Sequence, residues 1–322
     1  MTYDCPPISL RVSVTDRCDQ RCLYCRPAHG VALVSHEEVL RLEEILRFVR
    51  FLRDRFALAK VRLTGGEPLL RRNLLHLVRG LAAEGLEDLA LTTNGQRLAE
   101  MAEPLRRAGL RRVNISLDLL DPGTYRRLTR GGDLGRTLGG IAAAQAAGLE
   151  PVKLNTVVLR GVNDGEVVPL ARFALARGCE VRFLELMPIG EAALGHAQWF
   201  VSSAEVRGRL AEAMDLEPLA DESGSSSGVF LARDPAGRTG RVGFVSPCSA
   251  PFCGDCRRLR LTATGRLLGC LGQRRGTDVR AALRAPGGPD EEGLAAAVRQ
   301  ALRIKQDGRR FARQDLMVRI GG

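Results

Sequence analysis

Apolar and polar positions along the chain fall into two alternating rhythms. From Ile8 to about Leu186, short β-rich runs are followed by longer stretches whose apolar residues recur every three or four positions. The first rhythm predicts strands at ISLRVSV from Ile8, KVRLT from Lys60, DLALTT from Asp88, RRVNISLD from Arg111, VKLNTVVL from Val152 and EVRFLEL from Glu180. The second predicts helices over Ser35 to Phe56, Arg71 to Glu84, Arg97 to Ala108, Arg136 to Ala147 and Asp164 to Arg177. Repeats of strand then helix imply an α/β fold with parallel strands and right-handed crossovers, as an open doubly wound sheet or a partial barrel.

In both architectures function gathers at the carboxyl ends of the strands. The unusual residues sit there: a cysteine loop after the first strand, GGEP after the second, TNG after the third, Ser116 and Asp118 closing the fourth, and Met187 and Pro188 after the sixth. Beyond Met187 the rhythm breaks. Ser223 to Gly228 (SGSSSG) reads as a loop, VFLAR and GRVGFV as short strands, and Asp278 to Ile304 as helical. The expected division is a barrel over 1–190 and a smaller α/β cap over 191–322 that covers the barrel's open end.

Composition narrows the class. A chain of 322 residues, 45% apolar, can bury one or two cores, and 4% aromatic residues argue against a stacking surface for single-stranded nucleic acid. The opening residues do not read as a signal peptide, and no run approaches the ~18 apolar residues of a membrane span, so a cytoplasmic protein is expected. In that reducing compartment nine cysteines, six of them in two tight groups, read as metal ligands rather than disulfides. The formal charge of +11 would suit nucleic acid, an acidic membrane surface or a polyanionic small substrate, but it is spread along the chain without a dense tract, so charge alone carries little weight for nucleic acid. Positive charge is written almost wholly as arginine. Lys60, Lys153 and Lys305 are the only lysines, and Lys153 stands inside a predicted strand with apolar neighbours.

TDRCDQRCLYCRP places Cys18, Cys22 and Cys25 on one short loop as CxxxCxxC. Three thiolates around a cubane of four irons leave one iron open to a small chelating molecule. A structural zinc site would ordinarily bring four ligands in paired knuckles, and no fourth Cys or His stands at a matching position. The loop resembles that of the radical S-adenosylmethionine (SAM) superfamily, including the aromatic Tyr24 before the third cysteine. TGGEP, at Thr64 to Pro68, strengthens the likeness, since two glycines after a strand let backbone approach a ligand. The resemblance implies a partial (β/α)6 TIM-like barrel and a [4Fe-4S] cluster on Cys18, Cys22 and Cys25. It further implies reductive cleavage of SAM to methionine and a 5′-deoxyadenosyl radical.

The second group, SPCSAPFCGDCRRLRLTATGRLLGCL, holds Cys253, Cys256 and Cys270, with a hairpin reading between the last two. This arrangement resembles the GTP 3′,8-cyclases, which open molybdenum cofactor biosynthesis, and the likeness runs from Arg11 to the terminal Gly321 and Gly322. It implies a second [4Fe-4S] cluster on Cys253, Cys256 and Cys270 whose open iron engages guanine. Cys248 would complete a four-thiolate set, C-x4-C-x2-C-x13-C, for a fully ligated cluster or a zinc ion; the family places no ligand there, so it is read as a bystander, like Cys5 and Cys179.

By the same resemblance, SAM is bound by Tyr24, Gly66, Ser116 and Met187. GTP is bound by Arg11, Arg62, Thr92, Lys153 and the run Arg258, Leu259 and Arg260, with Arg258 and Arg260 also catalytic. On a strand, Arg258 and Arg260 share one face and can clamp phosphates together. The implied reaction abstracts hydrogen from the ribose 3′ carbon of GTP and joins that carbon to C8 of guanine, giving 3′,8-cyclo-7,8-dihydro-GTP. An external electron donor, cyclic pyranopterin monophosphate synthase as the pathway partner, a homodimer and a double-glycine tail at Gly321 and Gly322 are implied too. The chain departs from the family at Arg26, where Met is common, and at Arg257, where Asn usually stands. Two rivals remain. A ferredoxin-like carrier would need neither TGGEP nor a barrel, and a radical SAM enzyme acting on peptide or nucleic acid would be separated by competition with GTP.

Overall fold

The computed structural model describes residues 7–220, 228–254, 256–272, 276–304 and 317–320. The six expected strands form as β1 (Ile8–Ser13), β2 (Leu58–Thr64), β3 (Asp88–Thr93), β4 (Arg112–Ser116), β5 (Lys153–Val157) and β6 (Glu180–Leu184). They lie side by side in chain order, all parallel. Alternation along each strand sorts its residues. Leu10, Val12, Val61, Leu63, Leu91, Val181 and Phe183 join the apolar core, while Arg11, Arg62, Thr92 and Arg182 line a cavity.

The helices largely follow the predicted periodicity, with three informative differences. The first begins at Leu42 (Leu42–Phe56), because the Glu44 carboxylate accepts the Arg41 backbone N–H at 2.7 Å and sets the helix start there. A helix at Pro122–Thr129 was not expected; Pro122 opens it, and the Asp121 side chain caps it by accepting from the Thr124 N–H at 2.7 Å. The helical stretch after Asp278 is split into Arg280–Leu283 and Glu291–Ile304 by APGGP, which neither proline nor glycine lets continue.

The carboxyl-terminal region supplies β7 (Asp215–Pro218), β8 (Gly228–Arg233), β9 (Thr239–Val245), β10 (Arg258–Leu261), β11 (Arg266–Leu268) and β12 (Thr277–Asp278). These strands extend the barrel sheet at both of its edges. β9 pairs parallel with β6, β10 pairs parallel with β1, and the complete order is β12-β11-β10-β1-β2-β3-β4-β5-β6-β9-β8-β7. The expected hairpin before Cys270 is β10 and β11, paired antiparallel. Cys179 is buried in the core. Most of SGSSSG, together with Cys5, Gly321 and Gly322, lies outside the described residues. Among the described residues no helix is long and apolar enough to cross a membrane.

Candidate active site

The loop after β1 is held from two sides. The Arg21 and Leu23 amides donate to the carbonyls of Thr129 and Leu128, each at 3.0 Å, so the unexpected helix at Pro122–Thr129 anchors the cysteine loop. From the other side, the Gly66 amide donates to the Thr15 carbonyl and the Glu67 amide to the Arg17 carbonyl, both at 2.7 Å. A Cβ at Gly66 would lie 2.6 Å from the Arg17 carbonyl carbon, so only glycine permits this approach. The Gly66 amide is thus committed to the cysteine loop, which it seats against the end of β2.

Polar side chains lock the strand ends. Glu67 accepts from the Leu69 amide at 3.0 Å, the Thr93 hydroxyl at 2.7 Å and the Asn94 amide at 2.8 Å; burial outweighs these bonds and pushes its carboxyl up to about 7. Tyr24 donates its hydroxyl to Asp118 at 2.7 Å, and Asp118 also accepts the Val157 amide at 2.8 Å. Burial raises Asp118 to about 6. Glu185, just beyond β6, accepts from the Ser203, Cys248 and Ser249 amides, and so fastens the barrel end to the segment leading into the second cysteine group.

One cavity of about 320 Å³ collects most of the expected site residues. Cys18, Cys22 and Cys25 line it, as do Cys253, Cys256 and Cys270 from the carboxyl-terminal region. Tyr24, Gly66, Ser116 and Met187 face it, together with Arg11, Arg62, Thr92, Arg258 and Arg260. Two expected residues stand apart. Leu259 points into the core on the opposite face of β10. Lys153, at the start of β5, is absent from the lining and sits against both Glu180 oxygens at 2.9 and 2.8 Å. Cys248 directs its thiol at the Leu186 carbonyl at 3.5 Å and does not line the cavity.

Among the described residues no three His, Cys, Asp or Glu side chains converge tightly enough for one metal ion. Two cysteine triplets on one cavity wall suit polynuclear clusters, whose ligands bind different irons and stand further apart. Burial raises all three thiols of the first triplet, Cys18 to about 12 and Cys25 to about 11, as it also raises Cys179 and Cys248 to about 11.

The register of β10, β1 and β2 places Arg260, Arg11 and Arg62 in one row across three parallel strands. Arg182 on β6 and Arg258 on β10 complete a group of five guanidinium ions in the cavity wall. Burial first and repulsion from neighbouring arginines after it push Arg11 down, Arg62 to about 9 and Arg260 to about 10; burial also takes Arg182 to about 10 against the opposing pull of Glu180. Guanidinium does not give up its proton near neutral pH, so the shifts express the cost of burying these charges close together. The Nε atoms of Arg62 and Arg182 are buried without a hydrogen-bond partner. Such a group calls for a multiply charged anion. Sequence reasoning missed Arg182, although the alternation of EVRFLEL already places it on one face with Glu180 and Leu184.

Comparisons with known proteins agree with this geometry. The Radical SAM superfamily profile matches residues 12–174, and the Molybdenum Cofactor Synthesis C profile matches residues 179–311. A GTP 3′,8-cyclase of Moorella thermoacetica is 47% identical over 92% of this chain and 90% of its own length. Another, of Pseudomonas savastanoi pv. phaseolicola, is 45% identical over 95% of this chain and 91% of its own. Among solved structures, Streptococcus suis SuiB bound to its precursor peptide SuiA superposes with a TM-score of 0.60 at 13% identity. That match covers 87% of this chain and 65% of SuiB, and it speaks for the fold alone. With both profiles matched in sequence order and close relatives aligned over nearly its whole length, the chain belongs to the GTP 3′,8-cyclase family of the radical SAM superfamily.

Proposed function

We propose that the chain converts GTP to 3′,8-cyclo-7,8-dihydro-GTP, the first step of molybdenum cofactor biosynthesis. The observation that carries this reading is the single cavity on which two cysteine triplets and five arginines converge. Cys18, Cys22 and Cys25 hold a [4Fe-4S] cluster, and Cys253, Cys256 and Cys270 hold a second one. When bound, the first cluster and SAM supply a one-electron reductive cleavage and the hydrogen-abstracting radical.

The chain's own residues bind, orient and enclose. Tyr24, fixed by Asp118, joins Ser116 and Met187 in framing the SAM site, while Gly66 seats the cysteine loop beside it. Arg11, Arg62, Arg258 and Arg260 meet the triphosphate, with Thr92 alongside and Arg182 added to the group. Lys153 joins this set on exchanging Glu180 for a phosphate, and Leu259 serves by spacing the two arginines of β10. The cavity, once filled, excludes water and holds the ribose against the guanine ring. The 1–190 barrel thus carries SAM chemistry, and 191–322 contributes the second cluster, two phosphate ligands and a tail ending in Gly321 and Gly322. A cytoplasmic homodimer that hands its product to cyclic pyranopterin monophosphate synthase completes the reading.

The test is anaerobic reconstitution with iron and sulfide, then incubation with dithionite, SAM and GTP. Formation of 5′-deoxyadenosine together with the cyclised nucleotide, both dependent on GTP, is expected. Deoxyadenosine without a nucleotide product would keep the radical chemistry and overturn the substrate.

A further inference from the structure

The molecule has a second, open depression on the outer side of the first cysteine loop, about 910 Å³ in volume. Arg17, Arg21, Arg26 and Arg319 line it, with Asp19 as the single carboxylate in the wall. The arginine side chains make their hydrogen bonds to backbone carbonyls: Arg21 to Ala28, Arg26 to Cys18 and Arg319 to Ala32. Among the described residues, then, their charge is not cancelled by carboxylates of the wall, and Arg17, Arg21 and Arg319 present it to solvent. Leu33, 47% exposed, adds an apolar contact at the rim.

Cys18 is the one residue common to this groove and to the inner cavity. Whatever rests in the groove therefore sits one cysteine away from the inner site. Reductive chemistry inside the cavity of a partial barrel needs an electron from outside, and electron transfer weakens steeply with distance. A basic rim selects acidic partners and steers their approach. A polyanion such as nucleic acid would satisfy the charge but would make no use of Cys18.

We infer that this groove is the docking surface for a small acidic one-electron carrier protein, which passes its electron inward past Cys18; the inference rests on the reading that Cys18 holds a cluster. The step is a single electron transfer, in which the carrier is oxidised by one electron and the cluster reduced by one, with no bond made or broken. Arg26 has a distinct place in it. Buried, with its Nη1 on the Cys18 carbonyl at 3.2 Å and its Nε unpartnered, it lays fixed positive charge under the docking floor.

The experiment mixes reconstituted enzyme with photoreduced plant-type ferredoxin in a stopped-flow instrument and follows bleaching of the cluster absorbance, without GTP. The double variant Arg17→Glu/Arg21→Glu is compared with wild type and with Arg233→Glu, a charge reversal on β8. Iron content and circular dichroism check folding, and Arg319→Glu provides a second, single-site variant. The double variant is expected to slow ferredoxin-driven bleaching by about tenfold or more at low salt and to approach wild type near ~0.5 M salt. Bleaching by dithionite should stay unchanged. Equal ferredoxin-driven rates in variant and wild type would overturn the docking surface, as would a wild type that dithionite bleaches and ferredoxin does not. Failure of dithionite to bleach wild type would instead overturn the cluster assignment beneath it.

Discussion

Arg182 shows what a single buried charge does here. It stands among four other guanidinium ions, with one strong bond to Asn114 Oδ1 at 2.6 Å and the Glu180 carboxylate no nearer than 3.9 Å. Arg182→Gln should weaken GTP binding by about 10- to 100-fold, the value of one or two charge-assisted hydrogen bonds. It should leave the melting temperature level or raise it, because a repelling charge is gone. Isothermal titration beside a thermal melt reads both, and a fall in melting temperature with unchanged GTP affinity would make Arg182 a scaffold residue instead. Gly66→Ala should fail differently. Its methyl group overlaps the Arg17 carbonyl, so the cysteine loop shifts, at a cost of about 1–3 kcal/mol. Iron content after reconstitution should drop while the arginine group keeps its GTP affinity. At this scale the sequence was most legible where chemistry clusters locally, in the two cysteine triplets and in the Arg258 and Arg260 pair. It was least legible for Glu67 and Arg182, whose importance depends on which strand end or charge lies opposite. Lys153 looked unusual in its strand, yet its nearest acid, Glu180, belongs to the neighbouring one.

Between elements, Glu44 joins the start of helix Leu42–Phe56 to Arg284 in the carboxyl-terminal region. Its carboxylate receives the Arg41 amide at 2.7 Å and Arg284 Nε at 2.7 Å. Burial alone would raise its pKa, but the bonds to Arg284 and Arg41 outweigh it and hold the group at about 2. A folded value below the unfolded 4.5 means that this stabilisation is complete above about pH 4.5 and is lost as pH falls toward 2. Arg284→Ala should therefore cost about 1–3 kcal/mol at pH 7 and lose less stability than wild type between pH 5 and 3, as measured by urea denaturation across that range. The same contact explains why periodicity misjudged the helix start. Ser35 to Leu40 has helical spacing, but the Leu40 amide goes to the Ala263 carbonyl at 2.8 Å and the Val34 amide to Asp16 at 2.7 Å, so tertiary bonds draw the segment across the sheet. The helix at Pro122–Thr129 carried its signals, Asp then Pro, in too few residues for periodicity to register.

Over the whole molecule, local pattern identified most strands but not all of their neighbours. Strands β1 to β6 pair in chain order, as short crossovers dictate, so the barrel was readable. β10 returns across nearly the full chain to pair with β1, a partnership set by packing and by the shared cavity that no local window contains. The cap expected over the open end is therefore continuous with the barrel sheet, and the Arg260, Arg11 and Arg62 row crosses the line where β10 joins β1. That row makes the seam hold like charges together until an anion arrives. GTP should accordingly raise the melting temperature without SAM or reductant present, by roughly 5 °C at a hundredfold excess over its Kd, while guanosine should not. The anion then acts as a missing counter-ion of the fold itself. A cell depleted of GTP would hold this protein in its most protease-sensitive form, and abundance would follow nucleotide supply before any reaction is run.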